Sequence, residues 1–171
     1  VLETPLRPIQ RNYLNVVRAS ADALLTIIND ILDFSRIEAG KLSLTPVEFR
    51  LREQLSAVAR TLSVRAHQKG LELVFRIASD VPECVEGDPG RLSQVLINLL
   101  GNAIKFTQRG EVVLDVQVAS RNGNDVVLSL AVSDTGIGIP AEKLDLIFSP
   151  FEQVDGTISR NFGGSGLGLA I

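Results

Sequence analysis

"PGRLSQVLINLLGNAIKFT", residues 89–107, carries two stripes at helical spacing. Leu92, Leu96, Leu99, Ala103 and Phe106 recur at steps of three and four and form an apolar stripe. Arg91, Gln94, Asn98, Asn102 and Lys105 form a polar stripe, roughly 100° away around the same helix. A solvated face is usually rich in Glu and Lys; this one carries two amides one turn apart. Asn98 and Asn102 can aim their oxygens at one spot. Magnesium takes oxygen ligands, keeps several waters and is often shared with substrate phosphates. Lys105, a turn further on, suits a phosphate as a point charge. By itself the stripe still reads more readily as a solvated face.

Two glycine-containing stretches lie downstream. "SDTGIGIP", residues 133–140, leaves the end of an apolar strand. Asp134 there can only accept hydrogen bonds, which suits an adenine amino group and disfavours guanine. Gly136 and Gly138 would let backbone approach a base. A plain capped turn, with Asp134 as local acceptor, explains the stretch equally well. "GGSGLGLAI", residues 163–171, has glycine at 164, 166 and 168 before a helix start. Backbone amides at a helix start attract anions. The spacing is neither the dinucleotide fingerprint nor a P-loop.

Composition sets the frame. With 171 residues, 45% hydrophobic and 22% charged, the chain reads as soluble and globular, with enough length for a real core. A net charge of −3 argues against a nucleic-acid partner. The single cysteine, Cys84, excludes an intrachain disulfide and a cysteine metal cluster. No apolar run approaches the ~18 residues of a membrane span. Residues 9–38 read as one long helix. Leu14, Val17, Ala21, Leu24, Ile28 and Ile31 form a heptad seam of about two and a half repeats, widened by Leu25 and Leu32. Beyond Gly40 the pattern turns α/β. A short strand is expected in "LSLTPVEF", with Pro46 marking an edge, and helices over 49–68 and 89–106. A further strand is expected over 71–78, and a hairpin from "EVVLDVQV" and "VVLSLAVS" turning at Asn122-Gly123. Pro140 predicts a short helix over 140–147.

Together these stretches resemble the catalytic domain of sensor histidine kinases. "QVLINLLGNAIKFT" resembles the N box, "DTGIGIP" the G1 box, "IFSPFEQVD" the F box and "GGSGLGLAI" the G2 box, in the family's order. "LLTIINDILDFSRIEAGKL" resembles the second helix of the dimerisation and phosphoacceptor unit. The resemblance implies a Bergerat-type α/β sandwich, a mixed sheet under three helices, preceded by a long bundle-forming helix. It divides the chain into 1–41, the end of the helical hairpin, and 42–171, the ATP-binding domain. It implies ATP and Mg2+, a homodimer through helix 9–38, and a response-regulator receiver domain as partner. Its setting is cytoplasmic, or the cytoplasmic part of a membrane-anchored sensor.

By resemblance Asn98 and Asn102 hold or orient magnesium and triphosphate, and Lys105 contacts phosphate. Asp134 reads adenine, and Gly136 and Gly138 shape the base pocket. Gly164, Gly166 and Gly168 close a lid on phosphate, Arg160 reaches the terminal phosphate, and Phe148 and Phe151 anchor the lid. The family needs a phosphoacceptor histidine, and His67 lacks its sequence context. "VLETPLRP" does not supply it either: the histidine would fall before Val1, and Pro8 would break the helix. The expectation is a fragment truncated at both ends, with the acceptor upstream and the last strands downstream. Two rivals remain. An ATP hydrolase of the same fold carries a Glu in the N box to activate water, where this chain has Asn98. A non-catalytic nucleotide-binding or dimerisation module is the other.

Overall fold

The computed structural model describes residues 6–150 and 166–171. A helix α1 of 31 residues, Pro8–Glu38, comes first. Pro8 occupies its first turn, where a missing N–H costs nothing. At about 1.5 Å per residue α1 is roughly 46 Å long. It ends where Gly40 takes a φ of 63°, the left-handed conformation that reverses the chain. The rest of the fold has strand β1 (Val47–Arg50), helix α2 (Leu51–Gln68), strands β2 (Glu72–Ile77) and β3 (Cys84–Gly87), helix α3 (Pro89–Phe106) and strands β4 (Glu111–Asn122) and β5 (Asp125–Asp134).

The sheet is mixed. Its order is β2-β4-β5, with β2 parallel and β5 antiparallel to the central β4. Val112, Leu114 and Val116 of β4 alternate inward and are fully buried. They meet Leu51, Leu55, Val58, Leu62 and Ala66 of α2, spaced at helical steps, and Leu96, Leu100, Ala103 and Ile104 of α3. Among the described residues two helices cover the sheet, where the resemblance implies three.

Several expectations shift. The strand in "LSLTPVEF" begins only after Pro46 and pairs antiparallel with β3, a four-residue strand too short to show a period. The hairpin turns one residue later than expected: Asn122 pairs with Asp125, and Gly123-Asn124 form the loop, with Gly123 at φ 59°. The helix over 140–147 is two 3-10 turns, Ala141–Lys143 and Leu146–Phe148. The core face of α3 is also rotated from the expected stripe. Leu100 and Ile104 are buried, while Leu92, Leu99 and Phe106 are half-buried. At about 100° per residue the polar stripe therefore lies opposite the core.

Two polar contacts hold α3 at its ends. The Asp88 carboxylate accepts from Arg91 N–H at 3.0 Å, capping the first turn, and from Thr45 N–H at 3.1 Å. Those backbone bonds hold its pKa below the ordinary aspartate value. At the other end Lys69 Nζ donates to the carbonyls of Ile104 at 2.8 Å and Lys105 at 2.7 Å. A cation on the last carbonyls favours both the hydrogen bonds and the helix dipole. Leu100 sits at 0% exposure at the centre of this arrangement. Leu100→Ala is expected to cost about 2–5 kcal/mol of folding stability, read as a lower urea midpoint at unchanged slope.

Candidate functional site

The site is built along α3 and the two loops that meet it. Asn98 and Asn102 are half-buried on the face away from the core. Asn98 Nδ2 donates to the Gly168 carbonyl at 3.1 Å, so the amide of α3 already touches the glycine loop. This bond occupies the nitrogen and leaves Asn98 Oδ1 as the atom able to serve a cation. The loop is seated by Leu167, at 0% exposure. Gly166 has a φ of 70°, which favours glycine there. Ala170 and Ile171 N–H both bond to the Leu167 carbonyl, the opening of a helical turn after the glycines. A Cβ on Gly168 would lie 3.6 Å from Asn98 Cγ, an ordinary contact, so packing alone does not demand glycine at 168.

Lys105 is half-buried with its Nζ 4.7 Å from the centre of the Phe106 ring. Burial pushes its pKa below the ordinary lysine value. An anion beside it would favour the charged form.

At the C-terminal end of α3 the second loop closes in. Asp134, the exposed last residue of β5, accepts from Gly136 N–H through Oδ1 at 2.8 Å. The capped-turn reading is therefore correct for one carboxylate oxygen. Oδ2 makes no hydrogen bond among the described residues. Gly136 leaves no room for a side chain: a Cβ would sit 2.6 Å from Asp134 Oδ1, 2.9 Å from the Phe106 carbonyl and 3.1 Å from Thr107 Oγ1. Thr107 itself is fully buried, and its hydroxyl has no partner among the described residues. A buried hydroxyl without a partner carries a desolvation penalty, and it faces the spot that Gly136 and Asp134 share. The acceptor oxygen, the side-chain-free glycine and the orphaned hydroxyl together fit a flat heterocycle with exchangeable hydrogens.

Sequence reasoning missed Thr107, because a threonine after a helix looks like ordinary punctuation. It also missed the fastening of this loop. Thr135 Oγ1 accepts from Glu111 N–H and donates to the Arg109 carbonyl, both at 3.1 Å. A Cβ on Gly110, at φ 110°, would run into that hydroxyl. Gly138, by contrast, has open space around it and needs glycine for its φ of 69°. Phe148 is 60% exposed, so it is not a core aromatic. Phe151, Arg160 and Gly164 lie outside the described residues.

The polar stripe of α3 divides in two. Its C-terminal part carries Asn98, Asn102 and Lys105. Its N-terminal part faces α1 instead. Arg91 donates to both oxygens of Asp33, Nη1 to Oδ2 at 2.6 Å and Nη2 to Oδ1 at 3.0 Å. Gln94 Nε2 donates to Asp33 Oδ2 at 2.9 Å, and its Oε1 accepts from Arg91 at 2.6 Å. The Arg91 bonds, then the Gln94 bond, hold the Asp33 pKa down, and Asp33 holds that of Arg91 up.

Among the described residues no cluster of three or more His, Cys, Asp or Glu could hold a metal ion. None of the helices described there is long and apolar enough to cross a membrane.

Comparison with known proteins gives this arrangement its class. The family described as "Histidine kinase-, DNA gyrase B-, and HSP90-like ATPase" matches residues 87–171. The "His Kinase A (phospho-acceptor) domain" matches residues 1–40. Signal transduction histidine-protein kinase BarA of Escherichia coli (strain K12) is 49% identical over 170 residues, which cover 99% of this chain and 18% of BarA. The structure of full-length ShkA in complex with AMPPNP aligns with a TM-score of 0.76 at 38% identity, covering 98% of this chain and 33% of ShkA. The catalytic domain of histidine kinase ThkA aligns at 0.55 and 30% identity, covering 74% of this chain and 77% of that domain. The chain belongs to the histidine kinase family, and its fold is the ATP-binding α/β sandwich of that family's catalytic domains.

The tight seat of Gly136 gives a test independent of any ligand. Gly136→Ala must push against a backbone carbonyl, which cannot turn aside. It is expected to lose about 1–3 kcal/mol of stability by denaturant unfolding, whereas Gly138→Ala should show strain at its positive φ without a steric clash.

Proposed function

We propose that this chain is the ATP-binding part, with the adjoining bundle helix, of a two-component kinase. It would transfer the γ-phosphoryl group of ATP to a histidine outside residues 1–171, for relay to a response-regulator receiver domain. Residues 1–41 serve the dimeric helix bundle and residues 42–171 bind the nucleotide. The observation that carries this reading is the geometry of α3. One helix touches the glycine loop through Asn98 and, at its end, packs closely through Phe106 and Thr107 against Gly136 of the Asp134 loop. Base and triphosphate can therefore be held by one rigid element.

The residues then take distinct tasks. Asp134 accepts from the adenine amino group, and the Thr107 hydroxyl gains a partner beside it, directly or through a water. Lys105 and the backbone around Gly166 and Gly168 meet the phosphates. Asn98 and Asn102 present amide oxygens toward a magnesium ion; with no acidic cluster among the described residues, water and the triphosphate would supply further ligands. Bound magnesium would neutralise charge on the transferring phosphate. Gly138, Gly164, Arg160, Phe148 and Phe151 belong to the lid and base-pocket roles that the family resemblance assigns.

Two features favour kinase over hydrolase. Asn98 cannot take a proton from water as a Glu at that place would. α1 supplies an exposed apolar seam, with Val17, Leu24, Ile28 and Ile31 each at least 43% exposed, that suits a homodimeric bundle. Because the substrate is ATP, we place this part of the protein on the cytoplasmic side of any membrane that anchors its parent.

Two substitutions separate binding from chemistry. Asp134→Asn keeps the shape but replaces an obligatory acceptor. ATP affinity should fall about ten- to hundred-fold in titration with a fluorescent ATP analogue, and unchanged affinity removes Asp134 as the adenine reader. Asn102→Ala lies off the core, so circular dichroism and unfolding should match the parent. Histidine phosphorylation from γ-labelled ATP should be lost in the full native chain, and normal activity at limiting magnesium contradicts the role.

A further inference from the structure

The cluster of Asp33, Arg91 and Gln94 lies away from the nucleotide pocket, yet it is among the most closely bonded polar groups described. Asp33 is 8% exposed and accepts three hydrogen bonds from α3. Charge-assisted, two-pronged bonding of this kind gives orientation as well as energy. Its place on α1 is specific. Asp30, Asp33, Phe34 and Ile37 are the covered positions at the C-terminal end of that helix. At about 100° per residue they lie on the side opposite the heptad seam of Leu14, Val17, Ala21, Leu24, Ile28 and Ile31. One side of α1 is thus left for the bundle while the other carries the nucleotide-binding domain.

The place on α3 is equally specific. Arg91 and Gln94 stand on the same stripe as Asn98 and Asn102, about two turns nearer the helix start. A contact there holds the triphosphate face of α3 alongside α1. We propose that Asp33, Arg91 and Gln94 are positioning residues for phosphotransfer: they orient the nucleotide-binding domain on the bundle so that the phosphate end of ATP faces the helices that carry the acceptor. This rests on the kinase reading above. Transfer within a bound assembly depends steeply on orientation, so a joint that touches neither nucleotide nor acceptor still governs rate. Interfaces between the domains of one chain allow motion unless a specific contact restrains it.

The test uses the full native chain containing residues 1–171, with histidine phosphorylation followed from γ-labelled ATP. Asp33→Asn keeps the size and removes the charge. It should lower kcat on the order of tenfold while leaving KM and Kd for ATP within about twofold. The exchanged pair Asp33→Arg with Arg91→Asp should recover part of that loss, which neither single change does. A distance between spin labels at Ser20 and Ser129, in a Cys84→Ser background, should broaden in Asp33→Asn and narrow again in the exchanged pair. An unchanged kcat, or a raised one, overturns the proposal; the second result would make the joint a restraint on a resting domain. A raised KM at constant kcat also overturns it, by moving these residues into nucleotide binding. If the parent chain makes no phosphohistidine, the kinase reading fails. The joint is then judged on the label distances, and unaltered distances in Asp33→Asn overturn it.

Discussion

Everything in this fold leans on the two-sidedness of α3. Leu96, Leu100, Ala103 and Ile104 bury against α2 and β4, which ties the helix rigidly to the sheet. The opposite face, from Arg91 to Lys105, is thereby held at a set angle to the domain. Apolar burial here does more than stabilise. It converts the helical repeat into a fixed row of polar groups that follow one another along the axis: those docked to α1, then Asn98 at the glycine loop, then Lys105 near the loop of Asp134 and Gly136.

A row of that kind works only if the helix ends are satisfied. Asp88 answers the free N–H groups at the start, and Lys69, from the end of α2, answers carbonyls at the finish. Among the described residues, the buried side-chain polar atom left unanswered lies a single residue past the helix. Thr107 has its backbone carbonyl within 3.4 Å of Lys69 Nζ, but its hydroxyl is buried without a partner. Native interiors tolerate few such groups, and those they keep often mark where a ligand completes the bonding. The burial that makes the helix rigid therefore also leaves a polar group poised beside Asp134.

α1 follows different physics. Its long side chains are largely exposed, and a helix this apolar on one face is stabilised by association rather than by propensity. The nucleotide-binding domain is joined to it at the other face through Asp33. In the proposed reading, apolar area would serve the bundle contact, and a charged cluster of definite geometry the contact that fixes orientation. The two interactions differ as expected. Apolar burial is non-directional, whereas a bidentate guanidinium–carboxylate pair has one preferred arrangement.

The linear sequence determined the parts that depend on local repetition. Helical steps marked α1, α2 and α3 to within a few residues, and alternation marked β2, β4 and β5. The ordered boxes at 94–107, 133–140 and 163–171 identified the family, because glycine, asparagine and aspartate at those spacings have a backbone or ligand purpose. Tertiary structure decided which groups meet. The pairing of β1 with β3 escaped notice because four residues carry no measurable period. The α3 core face was misjudged because leucines stand on several sides of that helix, and only the position of β4 selects among them. Asp33 and Arg91 are 58 residues apart, and Asn98 and Gly168 are 70 apart. Nothing in either local pattern records such partners. A period says which side of an element is apolar; the return path of the chain says what that side, and the side opposite, will touch.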